Sequence, residues 1–376
     1  MQTRTRTGTR TGTRTVATKT RINQRCAYAG FPALVRHVSF LNTTETADAL
    51  QTLRQSKYAS FGATRHLTIY HAEWPVTSSQ EEWARHLHFL GSERRNCSQE
   101  MQRAYKCYQE LTRREGSRTL ETDMSLFHTI LSVFPSLQEL TLEHVYAWRR
   151  QRLDFVHLHN LIQNIWMVPS FDGFINDAMM RLLPALESYP RIKRLNLSGL
   201  MDPRVMPAGR YTTIQHLRLD SILAGEGLHE SIIRCLESFP ELTSLTISTS
   251  PRGPINQQRL PLHHLQWSNL RFFTLARTWT SEDELLSFVE RHHLQHLSIK
   301  SVLLLNGTWE SFFNRIRDLQ SRPTIDIRGL YTSTAVPVAL PNLESQRLLC
   351  HFLTHKDFQW PFTDRDGDVP VFHLSP

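Results

Sequence analysis

The chain has little of what usually announces chemistry. No uninterrupted apolar run approaches the ~18 residues of a membrane-spanning helix, which excludes a helical membrane anchor. Its five cysteines, Cys26, Cys97, Cys107, Cys235 and Cys350, are scattered with no close pair. That argues against a disulfide framework and a zinc module, and it fits a reducing compartment, cytoplasmic or nuclear, rather than secretion. There is no phosphate-cradling glycine loop and no Gly-x-Ser-x-Gly elbow. Acidic residues are missing from the whole stretch before Glu45.

That last absence explains the charge. The 376 residues carry a formal net charge of +8, with 43 Lys and Arg against 35 Asp and Glu. Arg4, Arg6, Arg10, Arg14, Lys19, Arg21, Arg25 and Arg36 all precede Glu45 and account for the excess. The remainder is neutral overall. Residues 1–20 read MQTRTRTGTRTGTRTVATKT. This Thr-Arg-Gly stretch has almost nothing to bury, and residues 1–30 are expected to form a disordered basic tail. A nucleic-acid or anionic-lipid arm, a transit peptide, a localisation signal and a plain solvated tail are the readings of it. Beyond the tail there is material for a core, since 40% of residues are apolar and 10% aromatic.

That apolar material is periodic. Leu137, Leu140 and Leu142 sit at offsets 0, 3 and 5 in SLQELTL. The pattern returns in Ile162/Ile165/Met167, Ile192/Leu195/Leu197, Ile214/Leu217/Leu219, Leu242/Leu245/Ile247, Leu270/Phe273/Leu275 and Leu294/Leu297/Ile299. A weaker copy ends with Ile325 and Ile327, and upstream candidates are Val35/Val38/Phe40 and Leu67/Ile69. From 137 onward the steps are 25, 30, 22, 28, 28, 24 and 28 residues. Most lie inside the range of about 20–29 residues of leucine-rich repeats.

Helical patterns fill the intervals. Phe127, Ile130, Leu131 and Phe134 fall on one helical face, as do Leu228, Ile232, Cys235, Leu236 and Phe239. Ser281 to Glu284 reads as a capping box. The helices stop at Phe134-Pro135, Tyr189-Pro190 and Phe239-Pro240, where proline ends the helix and the aromatic plugs the turn. Pro184 falls inside a helical stretch and should kink or restart it. A strand–loop–helix unit of this size cannot repay its ordering entropy alone, so neighbours must stack. The expected fold is α/β: an irregular leucine-rich-repeat solenoid over residues 31–376, with parallel strands on the concave face and helices on the convex face. A helical insertion is expected near 78–116, where Met101, Ala104, Tyr105, Tyr108 and Leu111 form an apolar face. A C-terminal cap covers about 331–376, with a helix at 344–355.

Several stretches carry a resemblance: SLQELTLEHV, IWMVPSFDGF, LPALESYPRIKRLNLSGL and LESFPELTSLTI. The chain resembles the leucine-rich-repeat part of fungal F-box-type proteins over roughly 31–340. The resemblance implies the substrate-recognition part of a cullin-RING (SCF-type) ubiquitin ligase receptor, with the repeats presenting a target protein. No F-box is visible, because FPALVRHVSF already reads as repeat material. Docking of a ligase adaptor is therefore not implied by these residues. The repeat consensus also asks for an Asn three residues after the last apolar position. The chain has Val145, Ser170, Leu200, Ile222, Ser250, Thr278 and Val302 there, so its turns must be satisfied differently.

Strand residues alternate, so those between the apolar ones share the opposite face. Trp166, Arg194, Asn196, His216, Arg218, Asp220, His296, Lys300, Asp326 and Arg328 are the partner-binding candidates on that face. Phe272 joins Trp166 as a large aromatic expected among charges. The histidine pairs 86/88, 157/159, 263/264 and 292/293 have no third ligand at a metal-site spacing. Asp364 to Asp368 opens like a calcium loop but departs from the EF-hand, with Gly in the wrong place and Ser375 at its twelfth position. The expectation is a non-catalytic protein-interaction chain with no cofactor and no metal. The alternative is a nucleic-acid-associated protein working through the basic tail.

Overall fold

The computed structural model describes residues 36–55, 61–72, 74–86, 98–144, 156–167, 183–206, 209–250 and 258–362. Its centre is one sheet of eleven strands. The parallel strands are β1 (His37–Leu41), β2 (His66–His71), β3 (Glu139–His144), β4 (Arg194–Met201), β5 (His216–Ile222), β6 (Ser244–Thr249), β7 (Phe272–Ala276), β9 (His296–Leu304) and β10 (Thr324–Tyr331). They are hydrogen-bonded in that order, each to the next in the chain. The short β8 (Trp279–Thr280) pairs with β9, and β11 (Pro337–Ala339) closes the far edge antiparallel to β10.

Sequential order needs a short return between strands. Helices supply several of these returns: α1 (Thr44–Gln55), α4 (Leu120–Val133), α6 (His229–Glu237), α7 (Glu282–His292) and α8 (Trp309–Asp318); a last helix, α9 (Leu343–Thr354), follows the final strand. Several start at the side-chain caps their sequences signal. Ser281 accepts from the Glu284 amide, Thr308 from Ser311 and Asn342 from Ser345. Pro184 lies in a 3-10 turn, Leu183–Ser188, rather than inside an α-helix; the residues just before it lie outside the described residues. The aromatic-proline stops behave alike. The amides of Phe134, Tyr189 and Phe239 each bond the carbonyl three residues back. Phe134 and Phe239 are buried, and the Tyr189 hydroxyl donates to the His128 carbonyl at 2.9 Å.

Entry into most of the parallel strands repeats a single device. The carbonyl of Gln138 accepts from the amides of both Lys193 and Arg194, and the carbonyls of Lys193, Gln215, Thr243 and Arg271 do the same for the next strand's entry. Each of these units is thereby tied to its neighbour before the ladder proper begins.

Apolar strand residues and helix residues form one cluster running from Phe40 to Phe362. Leu140, Leu195, Leu217, Leu245, Phe273 and Leu297 lie in register across neighbouring strands, as do Leu142, Leu197, Leu219, Ile247, Leu275 and Ile299. The turns are satisfied without the consensus asparagine. Two residues after the last apolar position, Gly199, Ser221, Arg277, Ser301 and Gly329 all have positive φ, between 51° and 123°. One such residue breaks the in–out alternation as a bulge does. It turns the following residue inward, and Leu200, Ile222, Thr278, Val302 and Leu330 are all buried. On β6, Thr249 and Thr278 hold the turn instead, through Gln258: Thr249 Oγ1 donates to its side-chain oxygen at 2.7 Å, and Thr278 Oγ1 to its carbonyl at 2.6 Å.

One expected repeat is absent. Ile162, Ile165 and Met167 do not mark a strand, because α5 spans Val156–Ile165 and β3 pairs directly with β4. Leu158, Leu161, Ile162 and Ile165 also fall at i, i+3, i+4 and i+7, and the helical period prevailed over the 0, 3, 5 spacing. The described residues of the segment 78–116 hold two helices, α2 (Gln80–Arg85) and α3 (Ser98–Gly116). With α5 they enclose a second cluster of Trp83, Ala104, Tyr108, Ile165, Trp166 and Met167. Arg118 joins this region to β1. Its guanidinium bonds Glu115 at 2.6 Å, Asp123 at 2.7 Å and the Asn42 carbonyl at 3.0 Å. Beyond β11, α9 occupies most of the expected 344–355 helix. The basic tail and the 364–368 acidic loop lie outside the described residues.

Candidate interaction face

The residues pointing away from the core form three rows across the strands. One row reads His37, His66, Glu139, Arg194, His216, Ser244, Phe272, His296 and Thr324. The next includes Thr141, Asn196, Arg218, Thr246, Thr274, Ser298 and Asp326. In the third, Glu143, Ser198 and Asp220 are neighbours at one end, and Ser248, Ala276, Lys300 and Arg328 at the other. Register thus brings together Arg194, Asn196, His216, Arg218, Asp220, His296, Lys300, Asp326 and Arg328, nine of the ten residues expected there.

Trp166 is the tenth, and its placement is a correction. It follows α5 with φ 52° and is 7% exposed. Its ring packs with the insertion, not on the strand face. Asn164 belongs to the same helix. Phe272 does stand on the face, 45% exposed.

Charge is arranged unevenly. On β3–β5, Glu139 is a hub. Its carboxylate meets His66 Nδ1 at 3.0 Å, accepts from Asn196 Nδ2 at 2.9 Å and lies 4.0 Å from Arg194. His216 next to it has its pKa lowered, first by burial and then by the Arg194 charge, with Glu139 opposing. Arg218 donates to Asp220 at 2.9 Å. Ser244, Thr246 and Thr274 make a neutral middle. On β9–β10, His296 Nδ1 meets Thr324 Oγ1 at 2.9 Å and Ser298 donates to Asp326 at 2.9 Å. Arg328 stands 3.7 Å from Asp326.

Sequence alternation missed Arg277. Its φ of 51° swings it onto the face, where Nε donates to Ser248 Oγ at 2.9 Å. The legible signal was the glycine at the same offset in Ser198-Gly199-Leu200 and Arg328-Gly329-Leu330.

The other candidate chemistries have structural partners. His292 Nδ1 lies 2.8 Å from the Phe288 carbonyl, and its Nε2 accepts from the Trp267 amide at 3.2 Å. That places the proton on Nδ1 of a neutral ring, and burial lowers its pKa. His263 bonds Glu284 at 3.0 Å. Burial pushes the Cys235 thiol up to about 12, against activation as a nucleophile. Among the described residues no three His, Cys, Asp or Glu side chains converge to hold a metal ion, and no helix is long and apolar enough to cross a membrane. No family model matches the chain, and no curated protein matches it.

Proposed function

We propose that the chain is a leucine-rich-repeat solenoid that binds another protein across its polar strand face and performs no catalysis. The resemblance to F-box-type receptors gives the role: holding a substrate of a ubiquitin ligase. The observation that carries the reading is the register. It sets Arg194, Arg218, Lys300, Arg328 and an exposed Phe272 on one continuous surface. Exposed aromatics and arginines are the side chains that dominate protein interfaces. The exposed free thiols of Cys107 and Cys350 support a reducing cytoplasmic or nuclear setting.

Photo-crosslinking residues placed at Thr246 or Thr274, in the middle of the face, should capture a partner in cells. The same probe at Ser287 or Glu290, on the exposed side of α7, should not. Equal capture from both sides would end the reading. Recovery of a ligase adaptor with the captured partner separates the ubiquitin role from plain scaffolding.

A further inference from the structure

The two charged ends of the polar face differ in a way that specifies the partner. At β3–β5 the ionic groups have partners within the chain. Glu139 is held by His66 and Asn196, and Arg218 by Asp220. At β7–β10, among the described residues, Arg328 has only the shared Asp326, and Lys300 and Arg277 have no carboxylate. Lys300 and Arg328 stand directly opposite each other in register. Like charges so placed repel. Among the described residues, no carboxylate lies within the 4.0 Å ion-pair limit of Lys300 or Arg277. Asp326 serves Ser298 at 2.9 Å and reaches Arg328 only at 3.7 Å. The Arg277 guanidinium bonds serine hydroxyls alone, Ser248 at 2.9 Å and Ser221 at 3.5 Å.

Small side chains leave room between these cations. Ser248 and Ala276 are the register neighbours that lead to Lys300 and then Arg328. Arg277 reaches over Ser248 on one side, and Lys300 bounds the other. Exposed Phe272 begins the same strand, β7, four residues before Ala276 and about 13 Å away at strand rise. His296 lies beside it in register.

We propose that this end of the face binds an acidic peptide segment of the partner. The segment lies along β7 in extended form. Its carboxylates meet Arg277, Lys300 and Arg328, and an apolar side chain about four residues away rests on Phe272. The inference rests on the protein-binding reading above and adds the chemistry of what is bound. Charge complementarity selects the occupant: three cations with one shared carboxylate at the margin favour an anion. The exposed ring selects an apolar neighbour, which a bare polyanion lacks.

The probe is a short labelled peptide with a leucine four residues ahead of an Asp-Glu-Asp run, titrated by fluorescence anisotropy into the full chain. It should bind, and binding should weaken as salt rises. Lys300→Glu with Arg328→Glu should weaken it more than tenfold. Phe272→Ala should weaken it severalfold, and only when the leucine is present. Thermal melting checks that each variant is folded, and Lys300→Gln with Arg328→Gln replaces a double reversal that is not. Several results would overturn the proposal. One is equal affinity for a peptide with lysines in place of the acids. Others are a Phe272→Ala effect that ignores the leucine, a phosphoserine version that binds more than tenfold tighter, and a single-stranded RNA that binds the same cations more tightly than the peptide. If the peptide fails while Thr246 and Thr274 still crosslink a partner, the acidic assignment falls and the interaction face stands.

Discussion

Between Leu183 and Tyr331, the described connections between successive parallel strands are turns or one short helix. In the described residues of 74–116 and 156–167 the same chain builds helices that pack on one another. The first region keeps its apolar residues in register, strand beside strand, in one long cluster. The second gathers Trp83, Tyr108 and Trp166 into a small cluster of its own, anchored beside β1 by Arg118. Similar apolar spacings occur in both. The difference teaches that a 0, 3, 5 pattern specifies a strand only when a neighbouring strand is there to receive it. Where the helical period is also satisfied, and helices α2 and α3 offer a surface, the segment becomes a helix.

The largest expected effect tests whether the two regions unfold separately. Phe273 packs on Phe288 with ring centroids 4.6 Å apart in the long cluster, and Phe273→Ala should cost about 3–5 kcal/mol by denaturant unfolding. It should lower hydrogen-exchange protection along the strands. Trp83→Ala, in the small cluster, should release the amides of α3 and α5 and leave those of β5–β10 unchanged. Uniform loss of protection in both variants would make the two clusters one cooperative unit.

A smaller effect sharpens the junction between the regions. Burial, aided by the nearby His144 and Arg118, lowers the pKa of His71 to about 3. The folded state therefore keeps this ring neutral while an unfolded chain, with a His pKa near 6.5, takes up a proton. Stability rises with pH through this window and falls as pH drops from about 6.5 towards 3. At pH 5 the loss attributable to His71 is about 2 kcal/mol, taking 1.36 kcal/mol per pKa unit. Urea melts at pH 7 and pH 5 should show it, and His71→Leu should flatten the difference. A slope that the variant leaves unchanged would assign the pH dependence elsewhere.

The smallest effect separates the regular turns from ordinary loops. Gly329 has φ 93°, and a Cβ there would lie 3.1 Å from the Tyr331 ring. Gly329→Ala should cost about 1–2 kcal/mol, the strain of a left-handed L-residue. Gly62, with open space around its Cβ position, should tolerate alanine with no measurable change in melting temperature. Equal tolerance at both would refute the bulge as the turn device.

Much of the strand face was legible in advance. Alternation placed Arg194, Asn196, His216, Arg218, Asp220, His296, Lys300, Asp326 and Arg328 on one side, because a strand has period two and the apolar residues mark the other side. The aromatic-proline stops were legible for a similarly local reason, since proline cannot continue a helix. Trp166 was misplaced because its neighbours satisfied two periods at once. Arg277 was missed because one left-handed residue shifts the alternation.

The sequence by itself determined the strand–helix grammar, the helix caps and stops, and the split between an apolar and a polar strand face. These depend on residues a few positions apart. Only the tertiary structure decided which strand pairs with which, that 156–165 is helical, and that Lys300 and Arg328 face each other while Glu139 is shared. Those outcomes depend on which neighbours compete for one surface, and contacts between residues far apart along the chain are set by packing.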